Sequence, residues 1–229
     1  MVINGLQKLT LLDFPEHTAC TIFTAGCNFR CPFCHNAGLV THINSLDRIP
    51  EEEVLDFLSK RIGLLDGVCI TGGEPLLQPD IGEFMKKVKA LGYKIKLDTN
   101  GSCPEKLEEL INGGLLDYIA MDIKSSKQKY PASAGVHISI EDVEKSIDII
   151  KNSGVDYEFR TTVAKGLHTA EDISDLAAWI APAKRYFLQN FVDSGDLIGR
   201  GLSAFSDEEL KEMKCVATEF VPNAQIRGE

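Results

Sequence analysis

Hydrophobic and polar positions along the chain follow two alternating patterns. Short segments rich in Ile, Val, Phe, Tyr and Thr, bounded by Gly, Pro or Asn, are typical of buried strands. We predict six such strands, at residues 18–24, 67–71, 94–98, 118–124, 156–164 and 185–191. Between them the apolar residues recur every three or four positions, as in an amphipathic helix. The helical period is clearest in the sets Ile81, Phe84, Met85, Val88 and Leu91; Ile173, Leu176, Ala177 and Ile180; and Leu210, Met213, Ala217 and Phe220.

Several predicted helices begin with a recognisable polar signal. A Ser or Thr followed three positions later by an acidic residue is typical of a helix N-cap. Three such pairs occur, namely Ser139 with Asp142, Thr169 with Asp172, and Ser206 with Glu209. The acidic run Glu51-Glu52-Glu53 is interpreted as the solvated first turn of a helix, where the helix dipole favours negative charge.

The alternation of strands and helices predicts the α/β fold class. Six consecutive βα units imply a parallel sheet with right-handed crossovers. A closed eight-unit barrel typically needs about 250 residues, and this chain has 229. We therefore predict an open, partial (βα)6 barrel that forms a single domain over residues 1–229. A doubly wound open sheet is the competing architecture, and both architectures place ligands beyond the carboxyl ends of the strands.

Composition and charge narrow the classes of partner. The chain has 24 Lys and Arg against 34 Asp and Glu, a formal net charge of −10. This negative field argues against binding to nucleic acid. No apolar run approaches the roughly 18 residues that a membrane span needs, so we expect no membrane partner. The amino-terminal segment lacks a basic flank followed by an apolar signal core, so we expect a cytoplasmic protein.

Three of the seven cysteines fall in one short loop. Cys27, Cys31 and Cys34 form a C-x3-C-x2-C triplet after the first predicted strand, and thiolates favour zinc, copper(I) or an iron–sulfur cluster. A structural zinc site usually has a second pair of ligands, which is missing here, and His35 is awkwardly placed as a fourth ligand. A cubane cluster held by three thiolates would leave one iron open to a small molecule. The spacing favours a cluster, with zinc and uncoordinated redox or core thiols as the alternatives.

The remaining cysteines and histidines show no ligand spacing. Cys20 and Cys69 lie in apolar stretches and are predicted to be core residues. Neither Cys103 nor Cys215 is assigned a role. The other histidines are predicted to be surface or loop residues, namely His17, His42, His137 and His168.

Polar motifs also follow the other predicted strands. In a parallel βα array these motifs point to the same face as the cysteine loop. They comprise Thr71-Gly72-Gly73-Glu74-Pro75, Asp98-Thr99-Asn100-Gly101, Met121-Asp122-Ile123-Lys124 and Arg160. Each also has a structural interpretation. The glycines suit tight turns, Asp122 and Lys124 could form an ion pair on one face of a strand, and Arg160 could be a packed core arginine. Their convergence on one face favours a binding site.

Together these motifs resemble the radical S-adenosylmethionine superfamily over nearly the whole chain. The triplet with Phe33 before its last cysteine resembles the superfamily's cluster loop, and Cys34-His35-Asn36 resembles the activating enzymes of glycyl-radical enzymes. The opening segment, Gly5-Leu6-Gln7-Lys8 to Leu12-Asp13-Phe14-Pro15, is most similar to activators of anaerobic ribonucleoside-triphosphate reductase.

The resemblance implies a role for each matched residue. Cys27, Cys31 and Cys34 would ligate one [4Fe-4S] cluster, whose fourth iron binds S-adenosylmethionine, and no catalytic residue beyond the cluster is implied. Phe33 would pack near adenine. The cofactor would also be held by the other matched residues, which are His35, Asn36, Gly72, Gly73, Glu74, Asp98, Thr99, Asn100, Asp122, Lys124 and Arg160. A monovalent cation near Asp122 is implied as well.

The implied function is an oxidoreductase that generates a 5′-deoxyadenosyl radical and installs a glycyl radical on a partner enzyme, first of all the anaerobic ribonucleotide reductase. A flavodoxin or ferredoxin would donate the electron. The interval from Asn36 to Thr71 contains only Cys69, so we expect a single cluster. Three alternatives remain: a pyruvate formate-lyase-type activator, a radical enzyme acting on a small molecule such as a carboxy-deazaguanine synthase, and a zinc-stabilised binding module. Asn190-Phe191 replaces the Tyr-His that pyruvate formate-lyase activators tend to have near the sixth strand.

Overall fold

The computed structural model describes residues 1–43 and 47–228 of the chain. An eight-stranded sheet runs through it, and the strands lie side by side in the order in which they occur in the sequence. Their bounds are β1 Ile3–Thr10, β2 Ala19–Thr24, β3 Gly67–Gly72, β4 Lys94–Thr99, β5 Tyr118–Asp122, β6 Asp156–Val163, β7 Tyr186–Asn190 and β8 Ala224–Ile226.

Helices follow most of the strands. Their bounds are α1 Ala37–Thr41, α2 Glu51–Ser59, α3 Ile81–Ala90, α4 Pro104–Asn112, α5 Tyr130–Ala134, α6 Ile140–Asn152, α7 Ala170–Ile180 and α8 Asp207–Thr218. A 3-10 turn, Pro75–Leu77, follows β3. In the part of the chain that the structure describes, no helix combines the length and apolar character needed to cross a membrane.

The strand order decides between the two candidate architectures. From β2 to β8 every neighbouring pair is parallel, and β1 pairs antiparallel with β2. A doubly wound sheet reverses its strand order at a switch point, whereas here the order never reverses. The two end strands, β1 and β8, do not pair with each other, so the barrel is open. The predicted open α/β barrel in one domain is confirmed.

The number of strands is a correction, because the sequence predicts six and the sheet has eight. All six predicted strands are present. The first additional strand, β1, is buried only at its two ends, so its residues show no two-residue hydrophobic period. The other, β8, has three residues and is too short for any pattern. The strand predicted to reach Lys124 ends at Asp122.

The predicted helix starts are confirmed. The side chain of Ser139 accepts a hydrogen bond from the Asp142 N–H, and Thr169 and Ser206 form complete capping boxes. The acidic run from Glu51 occupies the first turn of α2. The apolar faces of the helices pack on the sheet in one large core, which also contains Cys20; Cys69 is buried as well.

Candidate functional site

A cavity of about 230 Å³ opens at the carboxyl ends of the parallel strands. Residues in the carboxyl-terminal halves of β3, β4, β5, β6 and β7 contribute to its wall, and so does the loop that follows β2. Cys27, Cys31 and Cys34 all line this cavity and all are free thiols. The three cysteines that sequence spacing singles out therefore share one enclosure with the polar strand ends.

The loop that carries the cysteines, residues 25–36, is held from two sides. The N–H of Arg30 donates to the Ala134 carbonyl in α5 at 2.8 Å, and Phe29 packs edge-on against Tyr130. On the other side the Gly199 N–H donates to the Pro32 carbonyl at 2.9 Å. These contacts anchor the loop's main chain to α5 and to the loop after β7.

Burial keeps the three thiols protonated in the absence of a cation. Loss of solvent raises the pKa of Cys31 to about 11, and burial likewise raises the pKa of Cys27 and that of Cys34. A bound metal supplies the positive charge that a thiolate needs. Across the described residues no group of three or more His, Cys, Asp or Glu side chains is arranged to hold a single metal ion.

A chain of paired charges crosses the floor of the cavity. The Arg160 guanidinium donates through Nε to Asp122 Oδ1 at 2.9 Å and through Nη1 to Asp98 Oδ2 at 3.2 Å. Lys124 Nζ donates to Asp122 Oδ2 at 3.1 Å, and the buried Lys96 ammonium bonds the other oxygen of Asp98. The structural interpretation of Arg160, Asp122 and Lys124 is compatible with the binding-site interpretation. The three residues form ion pairs with one another, and they also line the cavity.

The paired charges keep both carboxylates ionised. Burial raises the pKa of Asp98, but Arg160 and Lys96 outweigh it, so the net pKa lies below the ordinary value. The same balance, with Arg160 and Lys124 as the cations, holds the pKa of Asp122 far below its usual range. The cavity therefore presents fixed positive and negative groups, which suit a zwitterionic ligand.

The turn after β3 requires its two glycines. Gly72 has a φ of 118°, and a Cβ there would lie 2.3 Å from the Thr24 carbonyl oxygen. A Cβ on Gly73 would lie 2.0 Å from the Gly26 carbonyl oxygen. The glycine turn thus packs directly against the start of the cysteine loop. The two glycines are required by this tight turn, as their structural interpretation predicts, and they also line the cavity.

Glu74 is the one predicted cofactor-binding residue that does not line the cavity. Its side chain is fully buried and accepts hydrogen bonds from Leu76 N at 3.1 Å, Thr99 Oγ1 at 2.8 Å and Asn100 N at 2.7 Å. Burial raises the pKa of Glu74 to about 7, although these hydrogen bonds oppose the shift. The carboxylate ties the turn after β3 to the turn after β4, and through them it shapes the cavity wall.

The other predicted residues lie at the rim or in the wall. His35 is exposed and Phe33 is buried. The Asn36 side chain donates to the Gly72 carbonyl at 3.3 Å, and Asn100 donates to Asn28 Oδ1 at 3.0 Å. In all, the structure brings to one cavity Phe33, His35, Asn36, Gly72, Gly73, Asp98, Thr99, Asn100, Asp122, Lys124 and Arg160 with the three cysteines.

One histidine predicted as a surface or loop residue is buried. His168 lies in the loop between β6 and α7, so that alternative holds, but it is not at the surface. Its ring lies edge-on to Phe33 with centroids 5.9 Å apart. Its ring nitrogens lie 3.1 Å from Ala164 N and 2.8 Å from the Lys124 carbonyl. Burial lowers the pKa of His168. A neutral imidazole thus supports the Phe33 ring from behind.

Four further residues line the cavity without a prediction from the sequence, namely Phe29, Val40, Thr162 and Gln189, and Thr71 lines it as the first residue of the predicted motif after β3. The alternation of faces along β6 could have predicted Thr162, because Thr162 lies two residues after Arg160 and therefore on the same face of the strand. No comparable signal marked Phe29 or Val40, since apolar residues in a loop look like core residues.

Comparison with known proteins agrees with this geometry. The sequence model of the radical SAM superfamily matches residues 21–180. A Methanocaldococcus jannaschii protein provisionally named as a glycyl-radical enzyme activating enzyme is 33% identical over 236 residues, 99% of this chain and 95% of that protein. The GTP 3′,8-cyclase of Helicobacter pylori is 31% identical over 157 residues, 65% of this chain but 47% of the cyclase.

Among solved structures, Streptococcus suis SuiB bound to the precursor peptide SuiA has a TM-score of 0.73, with 16% identity over 91% of this chain and 48% of that one. This likeness concerns the fold. The sequence matches carry the assignment, because the superfamily model covers β2 to α7 and the archaeal relative covers nearly the whole chain. The chain belongs to the radical SAM superfamily of radical-generating enzymes, and over 99% of its residues it is related to a protein provisionally named as a glycyl-radical enzyme activating enzyme.

Proposed function

We propose that this protein is an activase that installs a glycyl radical on a partner enzyme, with the anaerobic ribonucleoside-triphosphate reductase as the first candidate. The observation that carries the proposal is the convergence of three free thiols and a paired-charge floor on one cavity. The nearly full-length similarity to the archaeal activating enzyme and the opening segment from Gly5 to Pro15 support the class of partner.

The superfamily uses a [4Fe-4S] cluster and S-adenosylmethionine, and the residues present fit both. Cys27, Cys31 and Cys34 would each bind a different iron, since a cubane with three protein thiolates keeps one iron open. When bound, the two cofactors supply reductive cleavage of a carbon–sulfur bond, which yields methionine and a 5′-deoxyadenosyl radical. The protein supplies binding, orientation and the exclusion of competing reactions.

The paired charges would hold the amino-acid end of S-adenosylmethionine. That end carries an ammonium and a carboxylate, and the cavity floor offers ionised Asp98 and Asp122 beside Lys124 and Arg160. A monovalent cation beside Asp122 stays a proposal, because each carboxylate oxygen can accept more than the one bond that it makes to Arg160 or Lys124. Phe33 offers its ring to adenine, while Gly73 and Asn100 offer uncharged contacts in the wall.

Glu74 is proposed as a positioning residue. It reaches the cavity only through Thr99 and Asn100, which it holds by hydrogen bonds. His35 at the exposed rim and Asn36, bonded to Gly72, are proposed to complete the mouth of the site. We further propose that a flavodoxin or ferredoxin delivers the electron and that one radical SAM domain occupies residues 1–229.

The first experiment measures 5′-deoxyadenosine formed by anaerobically reconstituted protein supplied with dithionite and S-adenosylmethionine. We expect the nucleoside from the wild type and none from Cys27→Ala. Stoichiometric zinc without iron, and no nucleoside, would favour the zinc-stabilised binding module instead.

The second experiment identifies the partner. Purified anaerobic ribonucleotide reductase and pyruvate formate-lyase are each incubated with the reconstituted protein, and the glycyl radical is measured by electron paramagnetic resonance. A radical on the reductase alone supports the proposal, whereas a radical on the lyase alone supports the alternative activator. The cyclase similarity makes a small-molecule substrate the remaining candidate, and turnover of a nucleotide without any protein partner would favour it.

A further inference from the structure

Two neutral polar side chains, Thr162 and Gln189, lie next to each other in the cavity. Both line its wall, both are half-buried, and the parallel pairing of β6 with β7 places their Cα atoms opposite each other. Among the residues that the structure describes, neither side chain has a hydrogen-bond partner. A polar group in an enclosure without a protein partner is costly unless water or a ligand satisfies it.

The polar residues beside this pair on β6 and β7, Arg160 and Asn190, form hydrogen bonds with other parts of the protein. Along β6, Arg160 is bonded to Asp98 and Asp122. Along β7, Asn190 exchanges two hydrogen bonds with the Phe205 main chain, at 2.8 and 3.0 Å. On β5, β6 and β7 the polar lining therefore has two parts: Asp122 and Arg160, which pair with each other, and the uncharged couple Thr162 and Gln189, which has no protein partner among the described residues.

We propose that Thr162 and Gln189 bind the main-chain peptide groups on either side of the target glycine. This inference rests on the proposed function. Glycine has no side chain, so a site that acts on its Cα can recognise it only through the flanking N–H and C=O groups. A carboxamide both donates and accepts hydrogen bonds, as does a hydroxyl, and these neutral groups match a neutral peptide.

The spacing of the two residues suits this role. Adjacent strands lie about 4.8 Å apart, and successive Cα atoms of a peptide lie about 3.8 Å apart. Side chains on two neighbouring strands can therefore contact the two peptide groups around one residue. The charged part of the cavity remains available to the charged end of S-adenosylmethionine, so the two ligands would not compete for the same groups.

The first test measures binding without turnover. The probe is N-acetylglycine N-methylamide, the smallest molecule with a glycine Cα between two peptide groups. It is titrated by calorimetry into reconstituted protein saturated with S-adenosylmethionine, with no reductant present. We expect Gln189→Met and Thr162→Val each to weaken binding of the probe about tenfold, the effect of one lost hydrogen bond. Thr162→Ser, which keeps the hydroxyl, should bind like the wild type.

The second test follows the hydrogen atom. With the probe deuterated at Cα and dithionite as the one-electron donor, the Cα–D bond breaks homolytically and its deuterium forms the new C–D bond of 5′-deoxyadenosine. The unpaired electron stays on the glycine Cα. We expect the deuterated fraction of the nucleoside to fall about tenfold in Gln189→Met and Thr162→Val, in line with the lost affinity.

The outcomes separate this inference from the proposed function. No 5′-deoxyadenosine at all from the wild type would contradict the proposed function. Nucleoside without deuterium from the wild type, or an unchanged deuterated fraction in both variants, would overturn the role of the pair. So would a fall in affinity for S-adenosylmethionine with no change in affinity for the probe, because the pair would then serve the cofactor. Thermal unfolding of each variant verifies that the near-isosteric substitutions leave the fold intact.

Discussion

The carboxylate of Glu74 accepts a hydrogen bond from the main-chain N–H of Asn100 at 2.7 Å, and this contact joins the turns that follow β3 and β4. Thr99 and Leu76 donate to the same carboxylate. Because Asn100 lines the cavity and Glu74 does not, the acidic residue of the glycine turn acts on the site through its neighbours.

Glu74→Ala is expected to weaken cofactor binding while leaving iron content nearly unchanged. Three donors lose their acceptor, so the two turns shift and the dissociation constant for S-adenosylmethionine should rise about tenfold, or ~1.4 kcal/mol. Calorimetry on reconstituted protein measures the constant, and iron analysis on the same samples is the control. Loss of iron instead would mean that the turn supports the cysteine loop.

The raised pKa of Glu74 predicts a pH-dependent stability. In the folded protein the pKa is about 7, and its ordinary value is 4.5. Between these values the unfolded chain has released a proton that the folded chain retains, so the free energy of unfolding falls as the pH rises. Urea unfolding of metal-free protein at pH 5, 6, 7 and 8 should show this slope. Glu74→Gln, which does not titrate, should show a smaller slope; equal slopes would contradict the assignment.

Cys31→Ala should abolish both iron binding and cofactor cleavage, because a cubane with only two protein thiolates is unsupported. Iron analysis, visible absorption and 5′-deoxyadenosine formation measure these effects after anaerobic reconstitution. Cys215→Ala is the matched control, since Cys215 is exposed in α8, and it should keep wild-type iron. Retained cleavage in Cys31→Ala would refute its assignment as a ligand.

Arg160→Met should destabilise the protein by about 2 kcal/mol, because it leaves two half-buried carboxylates short of a cation. Its guanidinium bonds Asp98 and Asp122. Urea unfolding measures the loss, and the exposed Arg48 provides the control Arg48→Met. A loss no larger than that of the control would show that Asp98 and Asp122 are satisfied without Arg160.

Gly199→Ala should reduce iron incorporation. A Cβ at this position would lie 2.5 Å from Pro32 Cβ, so the loop after β7 must move away or push Pro32, which adjoins Cys31. Gly38→Ala is the control, because its added Cβ would meet only ordinary contact with Asp196 at 3.7 Å. Equal iron content in both variants would show that the loop after β7 moves without disturbing the cysteines.

Local patterns in the sequence predicted much of the fold. The six central strands, the capped helices and the cysteine triplet depend on short-range periodicity and spacing, which survive in a single sequence. The open barrel followed from the number of units and the length. The edge strands β1 and β8 escaped detection because β1 is buried only at its two ends and β8 has only three residues.

Sequence alone determined which chemical groups gather at the carboxyl ends of the strands, since parallel βα units direct every such end to one face. Tertiary structure decided which of those groups face the cavity and which support it. Glu74 accepts hydrogen bonds from main-chain donors instead of facing the cavity. His168 is buried beside Phe33, and Thr162 lies opposite Gln189 on the neighbouring strand. Burial and the pairing of polar groups set these arrangements, and both depend on neighbours distant in sequence.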